Sequence, residues 1–162
     1  MASNAQLVGA AGVHFVAARM NALGLHAAPT IRNVPGVDLL VSSLDGRKSV
    51  AIQVKTSAWA SRTSGRGEAK VISEYQWACK YVEGESDSLF YAFVDLKEFN
   101  ELPDIYLLPS RVVAKWYRDA PTRWGITREE WKWPRFHVEP SFVDNYRNNF
   151  KPICKLLGME EV

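Results

Sequence analysis

The chain has 162 residues, 47% of them apolar and 23% charged, with a formal net charge of +2; this is enough for one compact core and too little for two, so a single domain over 1–162 is expected. No apolar run approaches the roughly 18 residues that a bilayer-crossing helix needs, and the start lacks the basic region and cleavage pattern of a secretory signal, so a soluble, cytoplasmic protein without a membrane partner is expected. Cys79 and Cys154 stand 75 positions apart without ligand-spaced neighbours, which argues against a disulfide framework and a zinc site and leaves two reduced, core-type thiols.

The first predicted element is a helix capped by Ser3 or Asn4, with Leu7, Val8, Val13, Val16, Ala17, Met20 and Leu23 near three-four spacing and Gly24 at its end. Gly9 and Gly12 inside it each cost about 1 kcal/mol relative to alanine, which close packing against a neighbour would justify. A loop with Pro29, Asn33, Pro35 and Gly36 leads to two strands, Val37 to Val41 and Val50 to Val54, joined by a turn containing Asp45 and Gly46. Thr56 to Gly67, rich in serine, threonine and glycine, reads as an exposed loop. A helix is expected within 73–82. "SLFYAFVDL" (88–96) reads as a central strand, apolar on both faces, and "DIYLLP" (104–109) as another. Ser110 is then expected to cap a helix carrying Val112, Val113, Trp116 and Tyr117. An aromatic stretch with Trp124, Trp131, Trp133 and Phe136 follows, and a final helix spans Phe142 to Leu157.

Charge is unevenly distributed. Residues 45–70 carry Arg47, Lys48, Lys55, Arg62, Arg66 and Lys70 against Asp45 and Glu68, whereas 81–105 carry seven acids against Lys97. A basic face suited to a polyanion and ordinary solvated loops are both consistent with this pattern.

Inside the hairpin, "PGVDLLVSSLDGRKSVAIQVKTS" (35–57) places one acid, one amide and one lysine among apolar residues. With Asp45 and Gly46 central in the turn, paired residue numbers add to 91 and Asp38 faces Gln53. Directly opposed Cβ atoms lie about 4.5–5.5 Å apart, within reach of a shared ligand. Lys55 falls on the same face by the strand period of two, while Val50, Ile52 and Val54 point into the core. A symmetric four-residue loop keeps this register, and a three-residue or bulged loop destroys it. Mg²⁺ or Mn²⁺ held by Asp38, the Gln53 side-chain oxygen and the Val54 carbonyl would suit phosphodiester hydrolysis, with Lys55 orienting water or neutralising developing charge. The plainer alternative is an Asp38–Lys55 ion pair at a strand edge.

"PGVD" at 35–38 and "QVK" at 53–55 resemble the PD-(D/E)XK nuclease superfamily in its variant with glutamine for the second acid. The resemblance extends to "GAAGVHFVAARMNALG" (9–24), "LFYAFVDL" (89–96) with "IYLLPSRVVAKWY" (105–117), and "NYRNNFKPICKLLG" (145–158), and so covers most of the chain. It implies a restriction-endonuclease-like α/β fold with a central mixed sheet of about four or five strands flanked by helices. It also implies Asp38 and Gln53 as metal ligands, Lys55 as the catalytic lysine, DNA as substrate, and a homodimer where both strands are cut. Family helices carry a glutamate after the glycine matching Gly12; here that position is Val13, and His14 lies about 100° further round the helix. Glu68, Glu74 and Gln76 are other oxygen sources, each read first as a solvated residue.

The expected function is metal-dependent DNA hydrolysis, with Arg47, Lys48, Arg62, Arg66 and Lys70 contacting the backbone. A non-catalytic descendant binding nucleic acid or protein, and a structural subunit, are the alternatives. His14, His26 and His137 are too scattered for a histidine-metal centre, no phosphate-cradling glycine loop is present, and the four tryptophans of the C-terminal third, Trp116, Trp124, Trp131 and Trp133, interleaved with basic residues that would suit single-stranded nucleic acid, read as core.

Overall fold

The computed structural model describes residues 5–31, 36–80, 85–127 and 135–159. Among these, helix α1 (Ala5–Ala22) is followed by β1 (His26–Pro29), β2 (Leu39–Ser42), β3 (Ser49–Ser57), β4 (Ser61–Ser64), β5 (Val71–Ala78), β6 (Leu89–Asp95) and β7 (Asp104–Pro109). Helix α2 (Ser110–Trp124), β8 (Arg135–Val138), α3 (Pro140–Val143) and α4 (Lys151–Leu156) complete the order. A five-stranded sheet runs β1-β2-β3-β6-β7, and a three-stranded sheet runs β4-β5-β8. The large sheet is mixed: only β3 and β6 are parallel, and its other pairs are antiparallel. The expected α/β architecture with a mixed central sheet flanked by helices is therefore present. None of the described helices is long and apolar enough to cross a membrane.

The β2–β3 register agrees with the hairpin arithmetic: Leu39, Leu40, Val41 and Ser42 pair with Ile52, Ala51, Val50 and Ser49, numbers adding to 91 in every case. The reversal is the four-residue form. Ser43 N–H bonds to Lys48 carbonyl at 3.0 Å and Gly46 N–H to Ser43 carbonyl at 2.9 Å, with Gly46 at φ +69°, where glycine meets no steric cost.

Strand β6 is buried on both faces, which divides the core in two. Phe90, Ala92 and Val94 join Val16 and Met20 of α1, Val50, Ile52 and Val54 of β3, and Phe150 and Ile153 near the C-terminal end. Tyr91 and Phe93 join Tyr106, Trp77, Phe136 and the α2 residues Val113, Trp116 and Tyr117. Phe93 and Phe136 stack with ring centroids 4.2 Å apart, and Trp77 Nε1 donates to Val94 carbonyl at 2.9 Å. Trp116 is buried, as the core reading of the tryptophans expects, and Cys79 and Cys154 are buried free thiols. The expected cap at Ser3 or Asn4, and Trp131 and Trp133, lie outside the described residues.

Several local expectations give way. The helix expected within 73–82 is β5 through Ala78: Tyr75, Trp77 and Cys79 alternate inward, and Tyr75 and Trp77 pair with Val138 and Phe136 of β8. The 56–67 loop begins as the end of β3 and includes β4, the region around Pro29 contains β1, and β8 takes in Phe136 at the end of the aromatic stretch. Ser110 does not cap α2. Its hydroxyl donates to Ser86 carbonyl at 2.8 Å and accepts from Ser86 N–H at 2.9 Å. The closing helix is broken into α3 and α4 by an extended Arg147, which bridges to Tyr106, and by Asn148 at φ +50°.

That break is held by a buried carboxylate. Asp104 accepts from Arg147 Nη2 at 2.6 Å and Asn148 Nδ2 at 3.1 Å, and Lys97 Nζ lies 3.0 Å away. Asn148 in turn exchanges two bonds with Ile105, N–H to carbonyl at 2.7 Å and Oδ1 from N–H at 3.1 Å. Burial pushes the Asp104 carboxyl up, but bonds from Arg147, Lys97 and Asn148 outweigh it and hold it below its ordinary value. A depressed folded-state value stabilises the fold above the unfolded value, near pH 4, and that stability is lost as pH falls through the folded one. Asp104→Asn should cost about 1.5–3 kcal/mol at pH 7, and the gap to wild type should close below about pH 4. Denaturant titrations at a series of pH values check this; a gap unchanged at low pH would contradict it.

The two helix glycines separate cleanly. A Cβ on Gly12 would lie 1.9 Å from Thr56 Oγ1, whereas one on Gly9 meets nothing within 4 Å. Only Gly12 has the close-packing justification. Gly12→Ala should therefore lower stability by about 1–3 kcal/mol through overpacking, and Gly9→Ala should raise it by about 0.5–1 kcal/mol through helix propensity. Thermal and urea unfolding of the two variants measure both signs.

Candidate active site

Asp38 sits one residue ahead of β2 and is fixed from both sides. Its N–H donates to Ile52 carbonyl at 2.9 Å, and its carbonyl accepts from Thr30 N–H at 3.0 Å just beyond β1. The Thr30 hydroxyl also donates to Val37 carbonyl at 2.6 Å, tying down the approach to Asp38. With its main chain held, the half-buried carboxylate takes the next rung of the ladder: Val54 N–H donates to Asp38 Oδ2 at 2.7 Å. The carboxylate thus lies along β3 at the residue separating Gln53 from Lys55. Its second oxygen, Oδ1, accepts no bond from the described residues.

Along β3, Val50, Ile52 and Val54 are buried while Ala51, Gln53 and Lys55 are half-buried. The buried set faces α1, so Gln53 and Lys55 face the other side of the sheet. Neither makes a hydrogen bond or ion pair to the described residues. The strand-edge ion pair between Asp38 and Lys55 is therefore not formed: no carboxylate among the described residues lies within 4 Å of Lys55 Nζ. In an extended strand a residue's N–H and C=O point the same way, so the Val54 carbonyl faces the Asp38 side of β3 and not β6.

Strand β6 supplies a neighbour that local sequence does not indicate. Gln53 is registered with Tyr91 and Lys55 with Phe93 in the parallel pair, and the two rings stack at 6.1 Å. Tyr91 is 5% exposed, yet its hydroxyl bonds to no described residue. Burial pushes its pKa up to about 12, so it is a neutral donor at physiological pH. Cys79, at the end of β5, lies on the same side. Burial pushes its thiol up, and the Lys55 ammonium offsets part of that rise.

Helix α1 brings no carboxylate to this place. Gly12 backs directly onto Thr56, Val13 packs against the first core, and His14 is exposed. Glu68 is exposed on a short turn, and Glu74, half-buried on β5, accepts a bond from Gln76. No group of three or more His, Cys, Asp or Glu side chains among the described residues is placed to hold a metal ion. Among the described residues, the oxygens that a cation here could use are Asp38 Oδ1, the Gln53 side-chain oxygen and the Val54 carbonyl. Hard divalent ions accept such an oxygen set, with water and substrate oxygens filling the remaining positions.

The basic residues divide into two groups. Arg47 and Lys48 lie in the loop at the far end of the hairpin, about 23 Å from Lys55 at about 3.3 Å per strand residue, and Arg47 pairs with Asp45 at 3.6 Å. The fold does not bring them to the Asp38 trio. Arg62, Arg66 and Lys70 belong to the β4–β5 segment that continues from the Lys55 end of β3. Arg62 is occupied locally, donating to Trp59 carbonyl at 3.0 Å and Ser61 carbonyl at 2.9 Å. Arg66 and Lys70 are exposed and make no ion pair among the described residues. Trp59, 45% exposed just past β3, adds an open aromatic face on the same segment.

No family model matches the chain, and no curated protein matches it. Among solved structures it is similar to a bacterial homing endonuclease, I-Ssp6803I, with a TM-score of 0.56 and 15% sequence identity over 96% of this chain and 94% of that one. At this identity the likeness is one of fold alone.

Proposed function

We propose that the protein is a metal-dependent endodeoxyribonuclease of the PD-(D/E)XK type. The observation that carries this reading is the Asp38 carboxylate, one oxygen fixed by Val54 N–H at 2.7 Å and the other without a partner among the described residues, on the sheet face that also carries Gln53 and Lys55, neither of which is hydrogen-bonded or ion-paired among the described residues. Buried or half-buried polar groups without partners cost free energy, and an ion with a bound phosphate would satisfy all three at once. The fold shared with a homing endonuclease supports DNA as the substrate class.

Asp38, Gln53 and the Val54 carbonyl would hold Mg²⁺ or Mn²⁺, which supplies water activation and polarisation of the phosphodiester when bound. Lys55, on the same face of β3 as Gln53, would orient the attacking water and offset charge developing on the phosphate oxygens. Tyr91 offers a neutral hydroxyl to a non-bridging phosphate oxygen. Arg66, Lys70 and Trp59 extend the contact along the strand leaving the site. With one carboxylate in place of two or three, ion affinity is low in the free protein and rises when substrate phosphate completes the set. That deficit favours a second reading, a descendant that binds nucleic acid on the same face without cutting it.

Incubation with supercoiled and single-stranded DNA in Mg²⁺ or Mn²⁺ tests the first reading. Asp38→Asn keeps an acceptor for Val54 N–H, so it should stay folded while cleavage falls about 10²-fold or more; Lys55→Met should lose about 10²–10³-fold. Tyr91→Phe should lose roughly 3- to 10-fold, the worth of one neutral hydrogen bond. Cleavage surviving both Asp38→Asn and Lys55→Met would place the chemistry elsewhere, and binding without cleavage in the wild type would support the second reading.

Salt titration of DNA binding sorts the basic residues. Removing Arg66 or Lys70 should each reduce the slope of log affinity against log salt by about 1. Arg47→Ala and Lys48→Ala, at the other end of the hairpin, should leave the slope nearly unchanged.

A further inference from the structure

Strand β8 pairs with β5 only from Tyr75 to Ala78, whereas β4 pairs with β5 from Val71 to Tyr75. The distal part of the β4–β5 pair therefore has no third strand among the described residues, and every residue from Thr63 to Ser73 is exposed. Two strands with both faces in water are marginal by themselves, yet this ribbon is braced at three places. At its base Ala60 N–H donates to the buried Asp95 carboxylate at 3.0 Å, and Gln76 N–H donates to Ala60 carbonyl at 2.9 Å. The register shifts between Arg62 and Thr63, and the extra residue, Ser73, donates its hydroxyl to Arg62 carbonyl at 3.2 Å. At the tip Gly65 has φ +89° and lies so close to Ala69 carbonyl that a Cβ would sit 2.2 Å from it.

The two faces of the ribbon differ. Thr63 shares a face with the buried Ser61 by the strand period of two, and with its partner Ile72 it turns toward the body of the protein. Ser64 and its partner Val71, 60% exposed, turn outward. Further up the outer face Glu74 is occupied by Gln76, and Arg62 by the carbonyls of Trp59 and Ser61. That leaves a hydroxyl beside a branched aliphatic group, next to a tip carrying Arg66 and Lys70 against Glu68. An exposed ribbon with aliphatic side chains is an association hazard unless a partner covers it.

We propose that this ribbon lies in the major groove of duplex DNA and reads base edges through Ser64 and Val71. The inference rests on the nuclease reading of the adjoining site. Strands about 4.8 Å apart, with their side chains, fit a groove about 12 Å wide, and an arm of four residues reaches about 13 Å, past a groove depth of about 8.5 Å. The Ser64 hydroxyl donates to or accepts from a base edge, and Val71 packs on a thymine methyl, a group displayed only in the major groove. Arg66 and Lys70 pair with flanking phosphates, which positions the ribbon without reading sequence. Because β4 follows directly on the strand that carries Gln53 and Lys55, the base pairs read by the ribbon determine which phosphate meets the site. The braced base reduces the ordering cost of binding.

Selection of bound duplexes from a random pool by the full chain, in EDTA and again in Ca²⁺, should return a short consensus containing thymine. Uracil in place of that thymine should weaken binding about fourfold, the worth of one buried methyl. Val71→Ala should remove this dependence, and Ser64→Ala should relax the preference at a neighbouring base pair by about fivefold or more. Both positions are exposed, so circular dichroism should not change. Ile72→Ala, on the other face, should leave the consensus intact. Duplex binding without sequence preference overturns the proposal, as does a consensus indifferent to uracil, Val71→Ala and Ser64→Ala, or no duplex binding in either medium. The nuclease reading is judged separately by cleavage in Mg²⁺: cutting without sequence preference leaves it standing while the ribbon proposal falls, and a thymine-dependent consensus without cutting does the reverse.

Discussion

A carboxylate takes the place of a main-chain carbonyl at the end of the β2–β3 ladder, and the arrangement around the candidate site follows from that substitution. Val54 N–H would otherwise need a partner at the open end of β2. Asp38 provides it at 2.7 Å and is thereby held at one distance from β3. A slip of one residue in the hairpin would turn Gln53 and Lys55 toward α1 and the aliphatic core. The four-residue loop closed between Ser43 and Lys48 prevents that slip, so a surface turn fixes the composition of a site at the other end of the same hairpin.

The sheet separates two contrasting half-cores. Behind it, on the face away from Gln53 and Lys55, Gly12 lets α1 approach Thr56 so closely that no side chain fits between them, and the helix contributes packing there without charge. On the face that carries Gln53 and Lys55, Tyr91, Phe93 and the second sheet form an aromatic wall that lowers the local dielectric and would strengthen an ion–phosphate contact made against it. On the proposed nuclease reading, a single carboxylate in such surroundings would be a weak ion site alone and a stronger one with a phosphate present, and the chemistry would depend on substrate more than that of a site carrying several acids.

What the sequence revealed and what it hid divide by distance along the chain. The hairpin register, the both-faces-buried strand at Leu89–Asp95 and the strand at Asp104–Pro109 rest on local pattern and turn chemistry, and they are readable. The segment after Ser73 satisfies two periods at once, since Tyr75, Ala78 and Cys79 suit a helix while Tyr75, Trp77 and Cys79 suit a strand. Partners decided it, and these are β4 nearby and β8 some sixty residues later. Tyr91 beside Gln53 is a consequence of parallel pairing across a long connection, which no local rule supplies. The broken C-terminal helix has the same origin. Asn148 and Arg147 are drawn out of helical geometry by Asp104, a carboxylate more than forty residues away whose burial the sequence does not announce.

The most direct test of the central claim is anomalous diffraction from a crystal of the protein grown with Mn²⁺ and a short DNA duplex. A manganese peak is expected at bonding distance from Asp38 Oδ1 and the Gln53 side-chain oxygen, with a phosphate oxygen in the same coordination shell and Lys55 Nζ facing it. A peak elsewhere, or DNA bound in order with no ion between β2 and β3, would contradict it.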